Sequence, residues 1–166
     1  MGISQQREYQ ILALNDLIRI NKDRIDGYNK RINSGLDKNL KDLFSQFVKQ
    51  SQHNIDSLNK FVSLLGGKPF EDYSITGKFY QAWISFRSLV LGFGRKPILE
   101  FAENCEDVMK KAYQKVLEDE GLAWQNNSGA NYFLESQLDQ FKVSYDTVRG
   151  LYEQTLAVAW AQMLVI

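Results

Sequence analysis

The sequence predicts an all-α protein: a four-helix bundle with one long crossover, carrying an extra helix, between helices two and three. Three observations lead there. Apolar residues recur at steps of three and four along four separate stretches, which keeps one stripe of each helix against a core. Glycine- and proline-containing breaks punctuate those stretches. No segment keeps the period-two alternation of a half-buried strand.

Helix one is expected from about Gln10 to Asn33, with Ile11, Leu14, Ile18, Asn21, Ile25, Tyr28 and Ile32 on its stripe. Asn21 is the one polar member. Ser34-Gly35 ends the helix, and Asp37 or Ser34 serves the next N-terminus. Helix two, about Leu36 to Leu65, repeats the pattern through Leu40, Phe44, Phe47, Ser51, Ile55, Leu58, Val62 and Leu65. So short a connection makes helices one and two antiparallel. Gly66-Gly67-Lys68-Pro69 then stops the chain from continuing as helix.

The crossover, Gly66 to Arg95, is expected to carry a helix from about Ile75 to Leu91, with Phe79, Trp83, Phe86 and Val90 on one face. Its reach lets helix three start where helix two started and run parallel to it. Helix three, Ile98 to Glu118, is the central seam, with Ile98, Ala102, Cys105, Met109, Ala112 and Val116 inward. Pro97 is tolerated in its first turn. A polar connector, Trp124 to Ala130, leads to helix four, whose stripe runs from Leu134 through Phe141 and Tyr145 to Met163.

Composition narrows the function. At 166 residues one domain spanning 1–166 is expected, able to bury about 70% of its unfolded surface without a disulfide or structural metal. Lys plus Arg and Asp plus Glu both number 20, so no net field draws nucleic acid or an anionic membrane, and little repulsion keeps copies apart. A single cysteine, Cys105, rules out an internal disulfide and fits a reducing compartment. MGISQQREYQ lacks a signal-peptide pattern, and no apolar run reaches the roughly 18 residues of a membrane span. The expectation is a soluble cytoplasmic protein.

The seams hold little chemistry. A di-iron bundle needs a Glu on each of two helices and a Glu-x-x-His pair on each of the other two. One histidine, His53, cannot supply two such pairs, and it projects away from its own apolar stripe toward solvent. The inward polar residues are instead Asn21, Ser51, Cys105 and Tyr145, with Tyr145 and Tyr28 expected to bond Asn21 or Ser51 across the seam. Glu103, Glu106 and Asp107 form an acidic group rotated off the seam of helix three. It reads as a solvated flank pairing with Arg149, Lys110 or Lys111; the alternative is a site for iron or another divalent metal, the chain's one candidate ligand set. Cys105 reads as a buried small hydrophobe, since mid-helix position gives it neither a base nor a helix N-terminus. Gly92-x-Gly94 lacks the strand and lysine-serine pair of a phosphate cradle. No catalytic and no cofactor-binding residue is assigned.

Five pieces, in this order and spacing, resemble a bacterial ferritin-like family of uncharacterised four-helix-bundle proteins. They are LNDLIRINKDRIDGY (Leu14 to Tyr28), LLGGKP (Leu64 to Pro69), AWISFRSLVLGFG in the crossover, ILEFAENCEDVMKKAY (Ile98 to Tyr113) and YDTVRGL (Tyr145 to Leu151). The resemblance implies a ferritin-like bundle, discussed alongside bacterial stress proteins, with no established reaction. The chain departs from it at Tyr145, where members often carry His.

The last stretch, Thr155 to Ile166 (TLAVAWAQMLVI), belongs to an apolar C-terminal helix extension, 153–166, and is apolar on every face. At about 18 Å it is too short to cross a bilayer core of about 30 Å. The bundle can cover one side through Leu156, Ala159 and Met163, leaving Val158, Trp160, Leu164 and Ile166 to be covered otherwise. The expectation is a non-enzymatic homo-oligomer, most simply a two-fold dimer, in which the tail packs through Leu156, Trp160, Met163 and Leu164 on its counterpart or on the partner's crossover helix. The rival is a monomer in which the crossover helix covers the tail.

Overall fold

The computed structural model describes residues 2–69 and 94–165. Among them lie four α helices, one short 3-10 turn and no strand. α1 runs Ile3–Ile32, α2 Lys38–Leu64, α3 Arg95–Glu118 and α4 Ser128–Leu164, with the turn at Trp124–Asn126. The expected crossover helix, about 75 to 91, and the AWISFRSLVLGFG piece fall almost wholly outside the described residues.

Local chemistry explains the ends. The Asp37 carboxylate accepts from the Leu40 amide at 3.1 Å and caps α2. Gly35 and Gly66 take φ of 88° and 80°, the left-handed conformation that ends α1 and α2 cheaply only in glycine. The Asn127 side chain accepts from the Ala130 amide and starts α4 two residues before the expected Ala130. α1 begins seven residues earlier than its apolar stripe suggests. The reason is polar: Gln10 donates to the Leu122 carbonyl at 2.7 Å and Gln6 to the same oxygen at 3.5 Å. The connector is also less polar than its sequence, because Trp124 is buried and donates its indole N–H to the Val116 carbonyl at 3.0 Å.

α1 packs along α2, and α3 along α4, as two antiparallel hairpins. Cross-contacts fix how the hairpins meet. Tyr28 faces Phe101 with ring centroids 5.6 Å apart, Arg24 meets Glu106, and Asn21 meets Tyr113. Numbers fall along α1 as they rise along α3, so those two are antiparallel and α3 runs parallel to α2, the direction the crossover length allows. Gly27 is where α1 and α3 approach closely, since a Cβ there would stand 2.9 Å from Phe101 Cζ.

α4 outruns its partners. Arg95, the first residue of α3, bonds Thr155 at 3.3 Å, so residues 156–164 continue past the start of α3 by on the order of 13 Å. Of the three residues expected to rest on the bundle, Leu156 is half-buried, while Ala159 and Met163 are exposed. The bundle end has no α3 side chain level with them.

Candidate functional site

The core is organised around a charge. On α1 the residues Leu14, Leu17, Asn21, Arg24 and Tyr28 follow one another at steps of three and four, and all are buried. On α3 a second line, Leu99, Ala102, Glu106, Met109, Tyr113 and Val116, does the same. The two lines meet at Arg24 and Glu106, both fully buried. Arg24 Nε donates to Glu106 Oε1 at 2.8 Å and Nη2 to Oε2 at 2.9 Å, a bidentate pair. Its Nη1 donates to the Phe47 carbonyl at 2.9 Å and to Ser51 Oγ at 2.8 Å on α2. The Tyr28 hydroxyl donates to Glu106 Oε1 at 2.6 Å. Above and below, the guanidinium lies 4.9 Å from the Phe141 ring of α4 and 5.0 Å from Phe47. One side chain therefore touches all four helices.

Burial alone would discharge such a group. It is the largest single influence on Arg24 and works against its charge, but the Glu106 carboxylate and its hydrogen bond, together with Tyr28 and Cys105, outweigh it, and the guanidinium pKa sits above its ordinary value. The neighbours feel the same field with the opposite consequence. Burial first, and the Glu106 charge second, push the Tyr28 phenol and the Cys105 thiol well above their ordinary pKa values. Cys105 is thus a buried neutral thiol, not a nucleophile.

One turn along lies a neutral polar layer. Asn21 Nδ2 donates to Tyr113 Oη at 2.9 Å and to the Leu17 carbonyl at 2.8 Å. Tyr113 donates to Gln137 Oε1 at 2.6 Å, and Gln137 Nε2 to the Asn54 carbonyl at 3.4 Å. The expected polar layer exists with different tyrosines. Tyr28 bonds Glu106, Tyr113 takes Asn21, and Tyr145 is half-buried on the flank, 3.5 Å from Glu103. Position 145 falls one residue off the buried line of α4, where Ser144 and Val148 point inward.

The acidic group of α3 separates. Glu103 pairs with Arg149 at 2.9 Å, and Asp107 with Lys110 at 3.4 Å and Lys111 at 2.5 Å, as flank carboxylates do. Glu106 corrects the expectation of a solvated flank: it is 0% exposed and belongs to the core. As ligands for iron or another divalent ion the three do not fit one another. Both Glu106 oxygens are committed to Arg24 and Tyr28, and the other two carboxylates face different partners. No group of three or more His, Cys, Asp or Glu is placed to hold a metal among the described residues. His53 is exposed, as its projection predicts. An open groove of about 530 Å³ between α2 and α4 is lined by amides, hydroxyls and apolar groups such as Gln50, Gln140, Ser144 and Val143, with Asp139 its one ionisable side chain.

An all-α bundle locked by a buried Arg–Glu pair is the class this architecture defines. No helix among the described residues is long and apolar enough to cross a membrane. The chain belongs to the family described as "Domain of unknown function (DUF2383)", whose pattern matches residues 10–119. That span holds Arg24, Tyr28, Ser51, Cys105, Glu106 and Tyr113, and it stops before α4. No curated protein and no solved structure matches the chain.

Proposed function

We propose that this chain is a non-enzymatic cytoplasmic bundle protein of ferritin-like topology that associates with copies of itself through its C-terminal helix. One observation carries the reading: past Leu156 the helix stands clear of the other described helices, with its large apolar side chains exposed. Trp160 is 65% exposed, Met163 67% and Leu164 86%, with Val158 and Val165 exposed beside them. A patch of this kind on a folded chain marks an interface.

A second copy fits this surface better than a charged partner. From Gln154 to Ile166 there is no ionisable side chain, so two tails meet without burying charge. Taking about 100 Å² for each exposed aliphatic side chain and more for the indole, each tail offers on the order of 500 Å². A standard interface takes about 800 Å² from each partner, so a tail-to-tail contact supplies the larger part and the adjoining bundle ends the rest. The resemblance noted above supports a bacterial, stress-related setting. The buried pair supports a scaffold role rather than chemistry, because every nitrogen of the guanidinium and both carboxylate oxygens already hold a protein partner.

Light scattering of the full chain beside a version ending at Gln154 tests this. The full chain is expected to run as a dimer at micromolar concentration and the shortened one as a folded monomer. A monomeric full chain at high micromolar concentration, or a dimer that survives the truncation, removes the proposal.

A further inference from the structure

Three polar atoms in the neutral layer are sealed in the core without a protein partner: Asn21 Oδ1, Asn54 Oδ1 and Asn54 Nδ2. Both asparagines are 0% exposed. An amide buried this way costs stability unless something else satisfies it. The Asn21 amide cannot simply be turned over, because its Nδ2 is held by the Leu17 carbonyl and Tyr113 Oη. Its Oδ1 must then look elsewhere for a donor.

The register places the two side chains across from one another. Arg24 of α1 touches Ser51 of α2 at 2.8 Å. Asn21 lies three residues before Arg24 and Asn54 three residues after Ser51, so on antiparallel helices both sit one turn along in the same direction. A hydrogen-bonded circuit also links them: Asn21 to Tyr113, Tyr113 to Gln137, Gln137 to the Asn54 main chain. The two side chains nonetheless make no direct bond. Two acceptor atoms and one donor atom, buried on facing turns and without a bond to protein, are the complement of a water molecule, which offers two protons and two lone pairs.

We propose that the space between Asn21 and Asn54 is an internal water-binding site, in which bound water donates to Asn21 Oδ1 and accepts from Asn54 Nδ2. Asn21, Asn54 and Tyr113 are 0% exposed and Gln137 1%, so water held there is shut off from solvent. Its ligand is water and not a cation, since the buried carboxylate nearest along the core, Glu106 one turn away, is consumed by Arg24 and Tyr28.

The test is cross-relaxation between water and the side-chain amide protons of Asn54 in the labelled, full-length protein. Tyr113→Phe is measured alongside, to remove exchange relayed through that hydroxyl. Water held inside gives a peak characteristic of residence beyond a nanosecond, retained in Tyr113→Phe. Its absence from the unmodified protein overturns the proposal, whatever the variants do. Thermal unfolding of Asn54→Leu, nearly the same shape, supplies an independent sign. If water bridges the two amides, Leu strands Asn21 Oδ1 and lowers Tm by several degrees, and adding Asn21→Leu costs less than it does alone. If the layer is dry, Leu removes an unsatisfied amide and raises Tm, which also contradicts the site.

Discussion

Replacing Arg24 with methionine should be the most damaging single change in the described core. Arg24 makes four hydrogen bonds, two to Glu106 and one each to the Phe47 carbonyl and Ser51, all out of water. Methionine fills much of the same volume, so the loss is electrostatic rather than a cavity. It strands a buried carboxylate, for which removal of one partner of a buried pair costs about 3–5 kcal/mol. In a chain of this size each kcal/mol lowers Tm by about 2–4 °C, so Arg24→Met should unfold roughly 10 °C below the parent. Taking away the stranded charge as well should restore much of that, because a buried pair replaced whole by apolar groups is often neutral. Arg24→Met/Glu106→Leu is therefore expected to be more stable than Arg24→Met alone. Thermal and urea unfolding followed by circular dichroism measures all three. Arg24→Met within 1 kcal/mol of the parent, or a double variant no better than the single, would refute the view that this pair locks the helices.

Three further outcomes follow from the same core. Burial and the Glu106 charge raise the Tyr28 and Cys105 pKa values, and burial raises Tyr113, so the folded chain keeps protons that the unfolded chain releases. Their contribution is complete below the ordinary values of 9.0 for the thiol and 10.0 for the phenols, and is lost as pH rises beyond them. Stability should then fall by up to about 4 kcal/mol per pH unit above pH 10, at 1.36 kcal/mol per group; a flat urea midpoint from pH 9 to 11 contradicts this. Cys105 should react with a thiol reagent slowly in buffer and at once in denaturant, and fast labelling of the native chain would mean the seam is open. Gly27→Ala gains about 1 kcal/mol of helix propensity but drives a methyl against Phe101, whose ring is pinned by Arg31 at 3.7 Å, at an overpacking cost of about 1–3 kcal/mol. A lower urea midpoint is expected, and a higher one would mean α1 and α3 are not in close contact there.

Much of the frame was legible in the sequence because helices and their breaks announce themselves locally. The glycine stops after α1 and α2, the Asp37 cap and the inward Cys105 all follow from spacing and turn chemistry. What was missed depends on tertiary context. Arg24 stands at the right interval after Leu17 and Asn21, and Glu106 at the right interval after Leu99 and Ala102, but a stripe drawn through apolar residues alone steps over both. α3 meets α1 on one side and α4 on the other, so its buried arc is wider than one stripe. That second line is where Glu106 lies. A buried ion pair has no local signature: each charge is admissible in the core only because the other arrives from 82 residues away. The early start of α1 was hidden similarly, since Gln6 and Gln10 look like solvent residues until the Leu122 carbonyl is brought to them.

The C-terminal helix as a self-interface is tested most directly by cross-linking at a tail position. Ala161→Cys puts a thiol on the projecting helix, and His53→Cys puts one on an exposed face of α2 as the control. Oxidised glutathione supplies the oxidant, and the native Cys105 is buried and does not compete. If two tails pack about a two-fold axis, Ala161→Cys should form a covalent dimer readily at micromolar concentration while His53→Cys stays monomeric. Equal, slow cross-linking at both positions would contradict it.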